Sequence, residues 1–456
     1  MKLPIALCLF LIAGATAFAH APVSRLHHWE VASPDPDRIF LSFLGDPATS
    51  RAVTWRTDAS ITEAQAQIAR ALAEPGFDRY AVTVEATTEP VILTRWNLNH
   101  QGVVHQHSAV FEGLEPDTLY AYRVGEVGGY WSEWIQFRTA SVGSDPFQFV
   151  YFGDAQTDIL SHWSRVIRMS QQVAPNAVIA LHAGDLINSA HADEEWAEWF
   201  TAGGFLHGQR TGIPVVGNHE FGRLGTGDGS EPKILSLQWR PQFTLPVESE
   251  LPESLHETVY TVDYQGVRFI VLNSNREVEA QIPYIEKKLQ EAGPLWRIVS
   301  FHHPLFSPGG DRNYTSLRAA WKPLFDRFGV DLVLQGHDHT YARGQVPVLG
   351  AAGYEKDSFS TLYVTSVSGS KMYEIDEGKF EVFAGDGYVH TRQAENTQFF
   401  QVISIDGPKL IYEAYTATGE LYDRALISKN LATGEKRIEQ QIPDVPTRTR
   451  ENTESR

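Results

Sequence analysis

At 456 residues the chain is longer than one ordinary hydrophobic core serves, which predicts two domains. Hydrophobic residues make up 42% and charged residues 21%, the balance of a folded globular chain, and after the first two dozen residues no stretch is long and apolar enough to span a bilayer as a helix. The formal net charge of -18 argues against general nucleic-acid binding, which needs a basic surface; a small anionic ligand would have to be drawn by local positive charge, and bound cations supply that.

In chain order, Lys2 is followed by an apolar run from Ile5 to Ala13 and by small residues at Ala17 and Ala19, the order of an export signal. Residues 1–19 are therefore expected to be removed, by cleavage after Ala19 or Ala21, leaving a secreted or periplasmic protein without an integral membrane segment. An uncleaved anchor is the alternative, against which stand the shortness of the run and the lack of a basic stop. Cys8, the one cysteine, leaves with the signal, so the mature chain has neither a disulfide nor a cysteine nucleophile.

Residues 35–141 show short apolar runs broken by turns, such as RIFLSFLG, AVTWRTD and WIQFRTA, and predict an all-β sandwich. In LEPDTLYAYRV, Leu114, Tyr120, Tyr122 and Val124 alternate onto one face, with Tyr120 placed for a tyrosine corner. The pattern resembles a fibronectin type III domain, and the expected role is packing or spacing. After Ser141 to Asp145, strand-like runs alternate with helical segments, so residues 146–428 are expected to form an α/β domain. Residues 429–456 are polar and are expected to be a mobile tail.

Within the second domain, apolar strands end repeatedly in polar residues: GDAQ at Gly153, GDLIN at Gly184, GNHE at Gly217, SFHHP at Ser300 and GHDH at Gly336. An open α/β sheet places its ligands at such strand ends. Asp154, Asp185 and Asn218 succeed one another at the spacing of a strand–helix–strand unit, which brings three strand ends side by side. Hard cations take carboxylate and amide oxygens, whereas imidazole suits zinc, iron or manganese, so a mixed Asp, Asn and His set serves either. Two metals about 4 Å apart can generate a hydroxide, clamp phosphoryl oxygens and stabilise a leaving oxygen.

These motifs, in this order, resemble those of the calcineurin-like metallophosphoesterases. Together with the preceding sandwich, which opens with an LSxxGDP-like phrase and a VTW strand, they are similar to purple acid phosphatases over roughly residues 37–426. The resemblance implies a four-layer α/β sandwich of two mixed β-sheets flanked by helices. It also implies hydrolysis of small phosphate esters, monoesters or diesters, by a metal-bound hydroxide at a binuclear centre. Asp154 and His339 would bind the first metal and Asn218, His302 and His337 the second, with Asp185 bridging; His219 and His303 would contact substrate phosphate and protonate the leaving oxygen. Either histidine is alternatively an orienting partner of a ligand, as are Glu220 and Asp338. Tyr341 and Arg343 either line the cleft or support it.

Two positions depart from the family. The tyrosine that colours purple acid phosphatases, three residues after the bridging aspartate, is Asn188 here, and the superfamily's histidine two residues after the first aspartate is Gln156. Gln156, on the same strand end as Asp154, is the better-placed amide to complete the first site. Neither amide stabilises ferric iron as a tyrosinate does, so two divalent ions (Mn, Zn or Fe) and a colourless enzyme are expected. The competing reading from another class is a non-catalytic surface module, binding a carbohydrate or partner on a phosphoesterase scaffold. A protein phosphatase is a third reading.

Overall fold

The computed structural model describes residues 27–93, 102–126, 128–224, 230–350 and 353–454. The expected export signal lies outside the described residues, and among those no helix is long and apolar enough to cross a membrane.

The N-terminal domain is a β-sandwich. Strands β1 (Asp37–Ser42), β2 (Arg51–Asp58), β3 (Gln65–Arg70), β4 (Val82–Glu85), β5 (Thr87–Ile92), β6 (Val103–Phe111), β7 (Leu119–Gly125) and β8 (Ile135–Arg138) divide into two antiparallel sheets. One has the order β5-β6-β2-β1 and the other β4-β3-β7-β8. Their inward faces bury Val53, Trp55, Ile68, Phe111 and Tyr122. The tyrosine corner forms: the Tyr120 hydroxyl accepts the Glu115 N–H at 3.0 Å, tying the turn to the strand it opens.

The second domain carries β9 (Phe147–Phe152), β10 (Ala177–His182), β11 (Thr211–Pro214), the short ribbon β12 (Phe221–Gly222) and β13 (Ile234–Leu235), then β14 (Tyr260–Tyr264), β15 (Val267–Val271), β16 (Trp296–Ser300), β17 (Leu332–Gln335), β18 (Tyr341–Gly350), β19 (Gly353–Thr365), β20 (Val389–Ala394), β21 (Phe399–Asp406), β22 (Lys409–Thr416), β23 (Leu421–Lys429) and β24 (Lys436–Gln440). Two mixed sheets result, β11-β10-β9-β21-β22-β23-β24 and β14-β15-β16-β17-β19-β18-β20. Their strands are nearly continuous in apolar residues because both faces are covered. In β16, Trp296 and Ile298 point into the core between the sheets, while Val299 packs with Ile285, Leu289, Trp321 and Phe325 of the outer helices Ile282–Gln290 and Thr315–Phe328. The helices Ser164–Val173 and Asp193–Gly203 cover the other sheet. This is the expected four-layer arrangement.

Two features go beyond the sequence reading. Of the expected tail 429–456, the described residues 429–454 are not free: β24 pairs with β23 and touches β19 at Ser358, with Lys436 and Ile438 buried. The buried Lys436 ammonium pairs with Asp331 at 3.1 Å, so a charged residue sits where the pattern of an inward strand position calls for an apolar one. In addition, β1 of the sandwich meets β11 in parallel through Ser42 and Gly212, and Arg38 of β1 grips Asp193 of the second domain at 2.7 Å.

Candidate metal centre

Every site residue expected from the sequence sits just past the C-terminal end of a strand, on one rim of the two sheets: Asp154 and Gln156 after β9, Asp185 after β10, Asn218 after β11, His302 and His303 after β16, His337 and His339 after β17. Close backbone packing permits the cluster. Gly184 has φ +92, and a Cβ there would lie 2.6 Å from His302 Nδ1; a Cβ on Gly336 would lie 2.3 Å from Asp154 Oδ1. Asp185 and His337 themselves occupy left-handed backbone, at φ 50 and 72, a strain of the kind stored at functional sites and costing about 1–3 kcal/mol each.

Second partners fix which atoms face inward. His302 Nδ1 lies 2.9 Å from the Ala183 carbonyl and His339 Nδ1 2.8 Å from the Lys371 carbonyl. A carbonyl only accepts, so both Nδ1 atoms carry hydrogen and both Nε2 atoms present lone pairs to the centre. His302 Nε2 then stands 3.0 Å from Asp185 Oδ2 and 3.2 Å from Asn218 Oδ1, and His339 Nε2 is 3.1 Å from Asp154 Oδ2. Lone pairs converging at such distances repel unless a cation or a proton lies among them. The electrostatics of the cluster make the same demand: burial opposes charging His302, yet Asp185 and Asp154 raise it to about 10. Burial would raise the Asp154 carboxyl, but His302, His339 and His337 hold it well below the usual carboxylate range. Asp185, His302 and His337 offer ligand atoms that all lie within 4.8 Å of one another.

Gln156 is buried at the heart of the cluster. Its Nε2 is 3.0 Å from both Asp185 Oδ2 and His339 Nε2, while its Oε1 is buried without a hydrogen-bond partner. Amide oxygen and nitrogen are exchanged by a simple flip. Such a flip would bring the unpartnered oxygen to the side of Asp185 and His339, where it would help hold a cation, so the donor set fits a metal. Asn188, the other amide, is turned away: its side chain reaches Ser189 Oγ at 3.4 Å, and it is its backbone carbonyl that serves the site, accepting His219 Nδ1–H at 2.5 Å. That bond aims His219 Nε2 at the centre, 3.9 Å from Asp185 Oδ2.

His303 lies beside the cluster with Nδ1 2.9 Å from Ser274 Oγ, and burial and the neighbouring His302 lower it to about 3. A cavity of about 550 Å³ opens next to it, lined among others by Asn218, Phe221, Ser274, Arg276 and Tyr314. Glu220 has a structural role: its buried carboxylate accepts the N–H groups of Asp185, Leu186 and Gly217 at 2.9, 2.8 and 2.6 Å, clamping two motif loops together, and burial with the nearby Asp185 raises it to about 8. Asp338 likewise holds Arg312 at 2.7 Å. Tyr341 and Arg343 do not line the cleft; both are buried and bond the carboxylate of Asp423, at 2.6 Å each. Ser274, Tyr314 and Glu195, whose Oε2 accepts the Asn188 and Ser189 N–H groups at 2.6 and 2.7 Å, escape sequence reading because each is a lone polar residue outside any motif.

A mixed-sheet α/β sandwich with opposed lone pairs at its strand ends is the architecture of a metalloenzyme. The family model of the purple acid phosphatase N-terminal domain matches residues 36–139, and that of the calcineurin-like phosphoesterases matches residues 148–341. An uncharacterized protein of Mycobacterium tuberculosis is 26% identical over 383 residues, covering 75% of this chain and 69% of the relative. Acid phosphatase type 7 of Mus musculus is 25% identical over 334 residues, covering 68% and 70%. In fold, the chain is similar to a purple acid phosphatase from yellow lupin (Lupinus luteus), with TM-score 0.69 and 19% identity over 87% of this chain and 75% of that one. It is also similar to PhoD, with TM-score 0.62 and 12% identity over 92% and 95%. The chain belongs to the calcineurin-like metallophosphoesterases and shares the domain organisation of the purple acid phosphatases, a family that hydrolyses phosphate esters at a dinuclear metal centre.

Proposed function

We propose that this chain is an exported hydrolase of small phosphate esters, monoesters or diesters, in which Asp154, His339 and Gln156 hold one divalent ion, Asn218, His302 and His337 a second, and Asp185 both. The observation that carries the reading is the convergence of the carboxylates of Asp154 and Asp185, the imidazoles of His302 and His339 and the amide of Asn218, with the Gln156 amide among them. When bound, the ions supply charge neutralisation and activation of the nucleophile for phosphoryl transfer. The protein's own part is to bind and to move protons. His219, held through Nδ1 by Asn188, directs Nε2 to the phosphoryl oxygens. His303, whose Nδ1 is held by Ser274, stands where the leaving oxygen meets the cavity, and the cavity holds the organic group. A general acid must reach that oxygen directly or through one water.

With Asn188 turned outward and no tyrosine at its position, the metal-loaded protein is colourless, carrying Mn, Zn or Fe in the divalent state. Export is inferred from the order of residues 1–19. The test is hydrolysis of p-nitrophenyl phosphate and bis-p-nitrophenyl phosphate by metal-reconstituted protein, alongside metal analysis and the Asp185→Asn variant. Stoichiometric binding of two metals, with hydrolysis of one ester abolished by the substitution, supports the reading. Metal-loaded protein inert to both esters would leave a binding module in its place.

A further inference from the structure

The imidazole of His337 is used at both ends. Its Nδ1 lies 3.2 Å from His302 Nε2, inside the cluster, while Nε2 lies 2.5 Å from the hydroxyl of Tyr314. A neutral imidazole carries one hydrogen, so two arrangements exist. If Tyr314 donated to Nε2, the ring hydrogen would sit on Nδ1, directed into the neighbourhood of Asp185 and His302 where a cation belongs. If Nε2–H donates to Tyr314 Oη, Nδ1 is left with a lone pair facing Asp185 and His302, whose ligand atoms share its 4.8 Å cluster. Only the second arrangement makes His337 a ligand.

We propose that Tyr314 is a positioning residue for the metal centre: its phenol oxygen accepts His337 Nε2–H and thereby fixes both the tautomer and the ring orientation that turn Nδ1 inward. The proposal rests on the two-metal reading above. His302 and His339 give their outward Nδ1–H to backbone carbonyls, whereas His337 depends on a side chain from a different loop. The geometry is held from several directions. The Tyr314 ring packs edge-on against His303 at 5.1 Å and His337 at 5.5 Å, closing a triangle with these two imidazoles, which lie 4.4 Å apart. Its loop is anchored independently of the hydroxyl, by Arg312 on Asp338 at 2.7 Å and by Arg318 on the Leu305 carbonyl at 2.8 Å and Asn313 at 3.0 Å. Deleting the hydroxyl therefore removes the hydrogen bond and leaves the loop.

Isothermal titration of the metal-stripped protein with Mn2+, and separately with Zn2+, compares wild type with Tyr314→Phe. Loss of an outer hydrogen bond to a ligand histidine weakens metal binding by about 10–100-fold. The expected result is a shift of that size in the weaker of two binding steps and an apo melting temperature unchanged within about 2 °C. A second readout is spectroscopic: in the Co2+-loaded wild type the His337 Nε2–H gives a slowly exchanging, hyperfine-shifted proton resonance, which Tyr314→Phe loses to solvent exchange. Equal affinities within about twofold, or a His337 Nε2–H resonance that survives in Tyr314→Phe, would overturn the positioning role while leaving the metal centre intact. A wild type that binds no metal would instead remove the reading beneath it.

Discussion

Asp193→Ala tests the joint between the two domains. Asp193 opens the helix Asp193–Gly203, and its side chain has no exposure to solvent. It takes a two-pronged contact from Arg38 of β1, at 2.7 and 3.1 Å, and lies 3.6 Å from Arg56 of β2. The two arginines do not suffer equally from its loss. Arg56 keeps Asp37, which bonds it at 2.8 and 2.5 Å, whereas Arg38, whose charge is disfavoured first by burial and then by Arg56, keeps only a 3.3 Å bond to the Asp193 carbonyl and a 3.5 Å contact to Gln242. The substitution thus strands one buried guanidinium, an error that costs about 3–5 kcal/mol. At roughly 2–4 °C per kcal/mol, thermal melts followed by circular dichroism should fall by roughly 6 to 20 °C. Replacing both partners with apolar residues, Arg38→Met with Asp193→Leu, should recover most of the loss, because no unpaired charge remains. A single variant that melts within about 2 °C of wild type, or a double variant as unstable as the single, would refute the reasoning.

The same region sets the orientation of His219, because Glu195 holds the Asn188 and Ser189 N–H groups and Asn188 holds His219. Glu195→Ala is expected to lower kcat by about tenfold or more, the scale of a misplaced general acid, with the metal content unchanged by elemental analysis. Chelation should abolish hydrolysis and lower the melting temperature; restoring Mn2+ at 100 times its Kd returns about 2.7 kcal/mol, an effect that Asp185→Asn should largely lose. Stability should also respond to acid. Burial lowers His207 to about 4, below its ordinary 6.5, so the folded state binds fewer protons than the unfolded one in that window. The stabilisation is present above pH 6.5 and is lost as pH falls toward 4, and His207→Phe should make denaturant stability flatter over that range. Glu257 runs the opposite way: burial raises it to about 7 from 4.5, so stability falls as pH rises between those values, and Glu257→Gln should remove that slope in urea titrations.

Much of the site is legible in the chain because local pattern and strand-end chemistry coincide. The runs FQFVYFGD, NAVIALHAGD and VDLVLQGHDH announce strands buried on both faces, and the polar residue that breaks each run is the one delivered to the rim. Alternation in LYAYRV likewise announces a sandwich strand, and the turn before it announces Tyr120. Where sequence left two answers open, as between Gln156 and Asn188, both are amides a short step from a motif aspartate. The choice depends on side-chain direction, which periodicity does not carry.

By itself, then, the sequence determined two domains, the order of their strands and the residues with metal-binding chemistry, because those follow from short-range periodicity and from donor type. Only the tertiary structure decided that Gln156 enters the centre while Asn188 turns out, that Tyr314 reaches His337, that β24 closes a sheet from what looked like a tail, and that Arg38 locks the sandwich onto Asp193. The physical reason is one of distance along the chain. Tyr314 with His337 and Arg38 with Asp193 join residues 23 and 155 positions apart through single polar or charged side chains, which leave no repeat for the sequence to display, and β24 is held by backbone pairing with β23 that its polar composition hides.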